Sequence, residues 1–345
     1  MGLIPQRDYF DKDIANSDNT SGYYIIEHND FVYNPRKSSD APYGPISRYA
    51  YPDAGIVSPL YLCFRAKGEV DTNFFEWYFH SSAWHRYIYM SGDSGARHDR
   101  VSIKDDDFFS MPICFPSSIE KKKIASFLNT IERRISSQQL LVDNLKKYKR
   151  GLLSNLFGEK ITQGCTTKSY YFSEIAQRRS EKYNPTSGIE YPCVELENIE
   201  QETGKILATV PSTAQSSIKN IAMPGDTLFG KLRPYLRKYA FAKKTMACSS
   251  EIWALIPSDV VLPKFLFYLV QTEQFLRVAN ISSGTKMPRA EWSNIEKAEF
   301  FIPDFSVQRK VVFLLEGLDQ KITFADSTLL SLNRLKASLL QQLFI

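Results

Sequence analysis

The sequence contains the same long amphipathic pattern twice, and this duplication constrains the fold more than any other feature. Residues 116–157 align with residues 303–344 without a gap, at an offset of 187 residues. Solenoid repeats extend only to about 50 residues, so a period of this length does not describe a solenoid. The duplication therefore predicts two domain-sized halves, each of which ends in the same long helix.

Both copies carry apolar side chains at alternating intervals of four and three residues, which is the spacing of a coiled-coil seam. Ser117, followed three residues later by Glu120, predicts a capping box at the start of the first helix. Lys149 and Lys336 also fall on the seam, and we expect their stems to snorkel from its edge. The predicted helix–helix and subunit interface consists of Ile124, Leu128, Ile131, Ile135, Val142, Leu145, Leu152, Leu315, Leu318, Ile322, Leu329, Leu332 and Leu339.

Two helices of this kind can pair with each other or with the helices of another subunit. Because each follows a similar globular region, we favour antiparallel pairing within the chain, with homodimerisation as the alternative. Strand-like and helix-like stretches recur in both halves without regular βαβ alternation, which indicates an α+β fold. We predict two similar domains separated by a pair of long antiparallel coiled-coil helices, with pseudo-two-fold symmetry. The predicted segments are the first domain at 1–116, the first helix at 117–160, the second domain at 161–302 and the second helix at 303–345.

Composition and motifs exclude several classes of protein. The five cysteines are scattered without a CxxC pair, which favours a reduced, cytoplasmic protein over a disulfide-rich or zinc-ribbon protein. No apolar run approaches the roughly 18 residues of a membrane span. Residues 225–232 resemble a phosphate-binding loop, but Leu232 replaces the Ser or Thr that ligates magnesium. No nucleophile with a base and no metal-ligand spacing is present, so we predict neither an enzyme nor a bound metal.

Positive charge is concentrated in loops that contain glycine or aromatic residues. Residues 231–244 include six Lys or Arg and no acid, and polar glycine loops recur at 91–100 and 282–289. Glycine allows close approach of the backbone, while Thr, Lys and Arg offer donors to phosphate oxygens and to guanine. The predicted nucleic-acid contacts are Arg36, Arg97 and Arg100 in the first half, and Arg178, Arg179, Lys231, Arg233, Arg237, Lys238, Ser283, Gly284, Thr285, Lys286 and Arg289 in the second.

The two halves differ at their beginnings. Aligning Asp30 with Asp226 places Met1 opposite about Glu197, so residues 161–196 have no counterpart in the first half. This extra opening includes a predicted basic helix over residues 172–179. We therefore expect the first domain to be N-terminally incomplete, or the chain to be a product of recombination that exchanges domains.

The motifs together resemble the specificity subunits of type I restriction-modification systems. They are the Gly225-Asp226 strand start, the loop 282–289, the Ile302-Pro303 entry to the helix, and the helix ends at 146–153 and 339–344. The resemblance implies a non-catalytic subunit with two target recognition domains, each of which reads one half of a split site in double-stranded DNA. It also implies that the helices space the two readers and dock methyltransferase subunits, with restriction and motor subunits joining the complex. S-adenosylmethionine, ATP and Mg would then be bound by the partner subunits, with no cofactor in this one. The alternative is a coiled-coil protein-binding scaffold that does not read DNA.

Overall fold

The structure is a computed structural model that describes residues 2–9, 11, 20–68, 70–92, 99–158, 167–281 and 287–344. The chain divides into two compact units, Met1–Leu140 with Asp326–Ile345 and Leu141–Ala325. Each unit contains one part of each of the two long helices. None of the described helices is both long enough and apolar enough to cross a membrane.

The first unit contains short helices, short strands and the first part of one long helix. In chain order its elements are α1 (Gln6–Tyr9), β1 (Tyr24–Ile26), β2 (Phe31–Tyr33), β3 (Ile46–Arg48), β4 (Gly55–Val57), β5 (Leu62–Phe64), α2 (Thr72–His80), α3 (His85–Ser91), α4 (Asp105–Phe109) and the start of α5 (Ser118–Leu156). Its strands form a three-stranded sheet of order β3-β2-β5 and a pair β1-β4.

The second unit is richer in strands. After the end of α5 it contains β6 (Thr167–Tyr171), α6 (Phe172–Ile175), β7 (Ala176–Arg178), β8 (Lys182–Tyr183), β9 (Pro192–Val194), β10 (Val210–Pro211), β11 (Lys219–Ala222), β12 (Thr227–Gly230), β13 (Tyr239–Phe241), β14 (Met246–Cys248), β15 (Ile252–Pro257), α7 (Pro263–Leu269), α8 (Glu273–Ala279), α9 (Trp292–Ile295), β16 (Glu299–Pro303) and the start of α10 (Phe305–Leu343). The sheets have the orders β10-β9-β14-β11-β8, β13-β12-β15-β7 and β16-β6.

Both long helices begin at a side-chain cap. The predicted capping box is confirmed, because the Ser117 backbone N–H donates to Glu120 Oε2 at 3.0 Å and the Glu120 N–H donates to Ser117 Oγ at 3.3 Å. Asp304 caps α10 by accepting from the backbone N–H groups of Ser306 and Val307. Each cap satisfies N–H groups that the first turn of a helix leaves without partners.

The helices pair in antiparallel fashion in each unit, as predicted. In the first unit Lys336 Nζ lies 2.9 Å from Glu132 Oε2, and in the second Lys149 Nζ lies 2.7 Å from Asp319 Oδ1. The two lysines are equivalent in the duplication, and so are the two acids, so the same ion pair forms twice. The seam lysines therefore bind a carboxylate on the facing helix, and the expected snorkelling is wrong for Lys149, which is only 6% exposed.

The seam positions lie against the facing helix or against the domain core. In the first unit Leu128 packs in one apolar cluster with Leu339, and in the second Leu153 packs with Leu315. The predicted interface residues are buried at Leu128, Ile131, Ile135, Val142, Leu315, Leu318 and Ile322, and half-buried at Ile124, Leu145, Leu152, Leu329, Leu332 and Leu339.

The sheets of the two units repeat each other in register. Phe31 pairs with Phe64 in the first unit, and the aligned Thr227 pairs with Leu255 in the second. The β1-β4 pair likewise corresponds to β11-β14, in which Asn220 faces Cys248. The strands β3-β2-β5 of the first unit thus correspond to β13-β12-β15 of the second, and we call each set of three strands the core sheet of its unit. This correspondence confirms the α+β class with two similar domains.

The second unit has six strands without a counterpart among the described strands of the first, namely β6 to β10 within residues 167–211 and β16, which pairs with β6. The predicted basic helix over 172–179 is wrong, because only Phe172–Ile175 is helical and Ala176–Arg178 forms β7. This strand pairs with β15 in antiparallel fashion, so the sheet supplies hydrogen bonds that a longer helix would have formed internally.

The buried lysine generates a prediction about stability. Asp319→Asn removes the carboxylate that compensates the buried Lys149 ammonium, so the free energy of unfolding should fall by about 3 kcal/mol. Glu132→Gln is the matched control, because it breaks the equivalent ion pair where the lysine and glutamate side chains are 27% and 43% exposed. Its cost should stay under about 1 kcal/mol. Urea unfolding followed by circular dichroism measures both, and equal losses would contradict the assignment.

Candidate nucleic-acid interface

In the second unit two loops predicted to bind nucleic acid lie side by side. The chain leaving β12 forms an antiparallel bridge between Leu232 and Arg289. The Arg233 backbone N–H donates to the Pro288 carbonyl at 2.7 Å, and the Ala290 N–H donates to the Lys231 carbonyl at 2.8 Å. These bonds bring together three predicted contacts that are far apart in sequence, namely Lys231, Arg233 and Arg289. The predicted contacts Ser283, Gly284, Thr285 and Lys286 lie outside the described residues.

Two of the three cations at this junction share one carboxylate. Glu251 accepts from the Arg289 guanidinium at 3.1 and 3.3 Å, and Lys231 Nζ lies 4.0 Å from the same carboxylate. Arg233 is exposed, and its guanidinium makes no hydrogen bond or ion pair with the part of the chain that the structure describes. The junction therefore carries excess positive charge that a polyanion would neutralise.

The backbone of this loop is held in an unusual conformation. Arg233 and Arg237 both have φ of 51°, in the left-handed region that non-glycine residues seldom adopt. Between them, Pro234–Leu236 form one turn of 3-10 helix, which leaves the Tyr235 ring 53% exposed. Such strain costs of order 1 kcal/mol or more per residue and is concentrated at functional sites. The loop thus presents an arginine and an aromatic ring next to each other.

A groove of about 610 Å³ lies beside the junction, and Arg178 and Lys231 line it together with Lys182 and two tryptophans. The Arg178 guanidinium lies 4.8 Å from the centre of the Trp292 ring and 5.8 Å from that of Trp253. Stacking of this kind fixes the direction of the guanidinium while leaving its N–H groups available. The sequence analysis missed Lys182, Trp253 and Trp292, although two tryptophans on either side of a basic loop were a usable signal.

Three other predicted contacts serve the protein itself. Arg179 is bound by Asp226 in two hydrogen bonds of 2.6 and 2.9 Å, and Lys238 Nζ donates to the Leu196 carbonyl at 2.6 Å. The Arg237 guanidinium lies 2.7 Å from a carboxylate oxygen of Glu273. These contacts hold the base of the loop, so the cations directed outward are Arg178, Lys231, Arg233 and Arg289.

The first unit repeats the junction, with Arg36, Lys37 and Arg100 as its three cations. Arg36 and Arg100 form the bridge equivalent to Leu232 and Arg289, and the Val101 N–H donates to the Pro35 carbonyl at 2.8 Å. Arg36 is exposed and Arg100 is half-buried. Arg97 lies outside the described residues.

Each core sheet starts from an aspartate clamp. Asp30 accepts from the Glu27 backbone N–H at 2.7 Å and from Arg65 at 2.6 and 2.9 Å. Asp226 accepts from the Met223 N–H at 2.8 Å and from Arg179, which reaches it from a different strand. The residue before each aspartate is left-handed, with φ of 74° at Asn29 and 97° at Gly225, which are residue types that tolerate this conformation.

The first clamp predicts a pH dependence of stability. The hydrogen bond from Arg65 lowers the pKa of the Asp30 carboxyl below its ordinary value of 3.8. Because the folded-state pKa is the lower one, this stabilisation is complete above about pH 5 and is lost as the pH falls through the folded-state pKa. The difference in free energy of unfolding between the wild type and Asp30→Asn should therefore be largest at pH 7 and shrink towards pH 2.

Chemical denaturation at a series of pH values measures this difference. Asp53→Asn serves as the control, because Asp53 is exposed. A difference that stays constant from neutral to acid pH would contradict the role given to the Asp30 carboxylate.

Comparison with known proteins relates this arrangement to a family. Residues 172–334 match the family model described as "Type I restriction modification DNA specificity domain". The type I restriction enzyme HindI specificity subunit of Haemophilus influenzae is 26% identical over 198 residues, covering 52% of this chain and 40% of that protein. The EcoDI specificity subunit of Escherichia coli is 22% identical over 289 residues, covering 70% of this chain and 63% of that protein. The aligned regions thus span less than two thirds of either relative.

Two solved structures share the fold. One comes from work described as "Structural basis underlying complex assembly and conformational transition of the type I R-M system", with a TM-score of 0.59 and 17% identity over 93% of this chain and 82% of that one. The other is the type I restriction-modification S subunit of M. genitalium, with a TM-score of 0.53 and 16% identity over 96% and 87% of the two chains.

Proposed function

We propose that this chain is a specificity subunit of a type I restriction-modification system, and that it is the DNA-reading adaptor of such a complex and has no catalytic role. The observation that carries this proposal is the junction of Lys231, Arg233 and Arg289, where Lys231 and Arg289 share the carboxylate of Glu251 and Arg233 is exposed. Cations in excess of their acids attract the phosphate backbone, and a positioned guanidinium can also read guanine in the major groove.

The outward side chains suggest a division of roles. Lys231, a flexible point charge, suits phosphate contact. Arg233, exposed on a strained loop next to Tyr235, suits a second phosphate contact. Arg178 is pre-oriented by Trp292, so little entropy is lost when its N–H groups bind an acceptor.

Two readers in one chain suit a DNA site made of two halves. We assign the readers to residues 1–116 and 161–302, and the helices at 117–160 and 303–345 to spacing and assembly. The duplicated junction at Arg36 and Arg100 supports a reading role for the first segment.

The long helices also offer surfaces for partner subunits. Large apolar side chains are exposed along them, including Phe127, Leu140, Phe313 and Phe324. Exposed apolar side chains on a helix suit the docking of other proteins. On this proposal methyltransferase and restriction or motor subunits bind there, supply S-adenosylmethionine, ATP and Mg, and act with this chain in the cytoplasm.

A gel-shift titration tests the DNA-reading role. Wild-type affinity for random duplex should fall steeply with salt, because each phosphate contact releases counterions. The double variant Arg233→Ala with Arg289→Ala should make the plot of log K against log salt concentration less steep, so that the magnitude of its slope falls by about 2. The control is Lys243→Ala with Lys244→Ala, which removes equal charge at the opposite end of the β12-β13 ladder. A chain that binds no duplex would be a protein scaffold, and equal effects of the two double variants would place the interface elsewhere.

Shortening the helices tests the spacing role. Deleting residues 136–142 and 326–332 removes facing heptads and keeps the seam on the same face. Seven residues of helix correspond to about 10 Å, which is about three base pairs of DNA at 3.4 Å each. The gap between the methylated half-sites should therefore shorten by about three base pairs, with the same bases read, when methylated positions are mapped by sequencing. An unchanged gap would contradict the spacing role.

A further inference from the structure

The two units differ at the outer edge of their core sheets. In the second unit β7 covers the edge of β15, with Leu255 opposite Arg178 and the Arg179 N–H donating to the Ala254 carbonyl at 2.8 Å. In the first unit β5 occupies the place of β15, and no strand within the described ranges pairs with its outer edge. β2 pairs with β5 in the same register in which β12 pairs with β15. The carbonyl of Cys63 therefore corresponds to the carbonyl of Ala254, which accepts from Arg179.

Two apolar side chains near this edge are more exposed than the aligned side chains of the second unit, which are buried. Leu255 is fully buried and the aligned Phe64 is only half-buried. Ile302, on the strand that pairs with β6, is 3% exposed, and the aligned Phe115 is 55% exposed. The strands that pair with the second unit at these places, β7 and β6, belong to residues 167–178.

A groove of about 680 Å³ lies next to β5 and is lined by Leu62, Cys63, Ile103 and Phe109 among others. Arg100 and Arg289 occupy equivalent β-bridges. Ile103 and Trp292, which each lie three residues further along the chain, are therefore also equivalent. In the second unit the Trp292 ring packs on Phe172, with 5.9 Å between ring centres. The groove therefore corresponds to the place that the buried Phe172 fills in the second unit.

We propose that this groove and the outer edge of β5 form a docking site for an extended polypeptide segment in which an aromatic residue precedes a short strand. The segment adds an antiparallel strand to β5 and inserts the aromatic side chain into the groove, as residues 172–178 do in the second unit. Strand addition gains affinity from main-chain hydrogen bonds, and the aromatic pocket gives specificity. In a second copy of this chain the segment around Phe172 is not available for this contact, because that Phe172 is already fully buried.

The aspartate clamp narrows the chemistry of the partner. In the second unit the incoming strand also delivers Arg179 to Asp226. In the first unit Arg65, from β5 itself, already occupies Asp30. The partner segment therefore needs an aromatic residue followed by a short extended strand, and it needs no arginine at the end of that strand.

A peptide with the sequence of residues 167–179 is a direct probe of this site in the full chain. Its fluorescence anisotropy should show saturable binding, and bound peptide should protect the backbone amides of residues 62–65 from hydrogen exchange. Replacing the peptide's Phe172 by Ala should weaken binding about tenfold or more, because the aromatic ring fills the groove.

Variants of the chain locate the binding. Phe109→Lys places a charge at the rim of the groove and should weaken binding of the peptide. Phe301→Lys is the matched control, since Phe301 is a half-exposed aromatic residue of the second unit, and it should leave binding unchanged. Absence of saturable binding, indifference to Phe109→Lys, or protection away from residues 62–65 would overturn the proposal. DNA takes no part in the assay, so its outcome is separate from that of the reading role.

Discussion

The antiparallel seam between α5 and α10 is the constraint on which the rest of the structure depends. The two helices are equivalent in the duplication and run antiparallel. A contact that a residue of α5 makes with a residue of α10 is therefore repeated by their equivalents, with the two helices exchanged. The lysine–carboxylate pairs at Lys149 and Lys336 are this contact. A buried charge fixes register more strongly than leucines do, because any shift along the seam leaves an ammonium without its carboxylate.

In each unit a long helix is also bonded to a shorter helix of the same unit. Trp77 of α2 donates from Nε1 to Asn129 on α5 at 2.8 Å, and Tyr268 of α7 donates from its hydroxyl to Asp319 on α10 at 2.9 Å. Those helices pack on the core sheets, and the sheets end in the basic junctions. The side chains that face outward therefore stand on rigid elements, which is what precise recognition of a ligand requires.

The parts of the fold that depend on local pattern were predictable from the sequence. Heptad spacing predicted both long helices, because periodicity is read from neighbouring residues. The duplication predicted the equivalence of the sheets, because similarity between two segments is visible in the sequence itself. The segment around Phe172 was misassigned, since the pattern of Phe172, Ile175 and Ala176 fits one face of a helix as well as it fits a turn leading into a strand. Its conformation is decided by β15, which lies about 80 residues further along the chain.

The candidate site was predictable as a region and not residue by residue. A run of cations marks a basic surface, but the carboxylates that engage some of them lie far away in sequence. Asp226 and Glu251 decide which arginines are held by the protein, and no local pattern connects them with Arg179 or Arg289.

The main-chain anchoring of the loop after β12 has an evolutionary consequence. Bonds between backbone atoms hold both ends of this loop, at Lys231 with Ala290 and at Gly230 with Lys238. The exposed side chains between these anchors, Arg233 and Tyr235, can be exchanged without disturbing the ladder beneath them. On the proposed reading role, the loop is a replaceable cassette through which a lineage could acquire a new target while its scaffold stays the same.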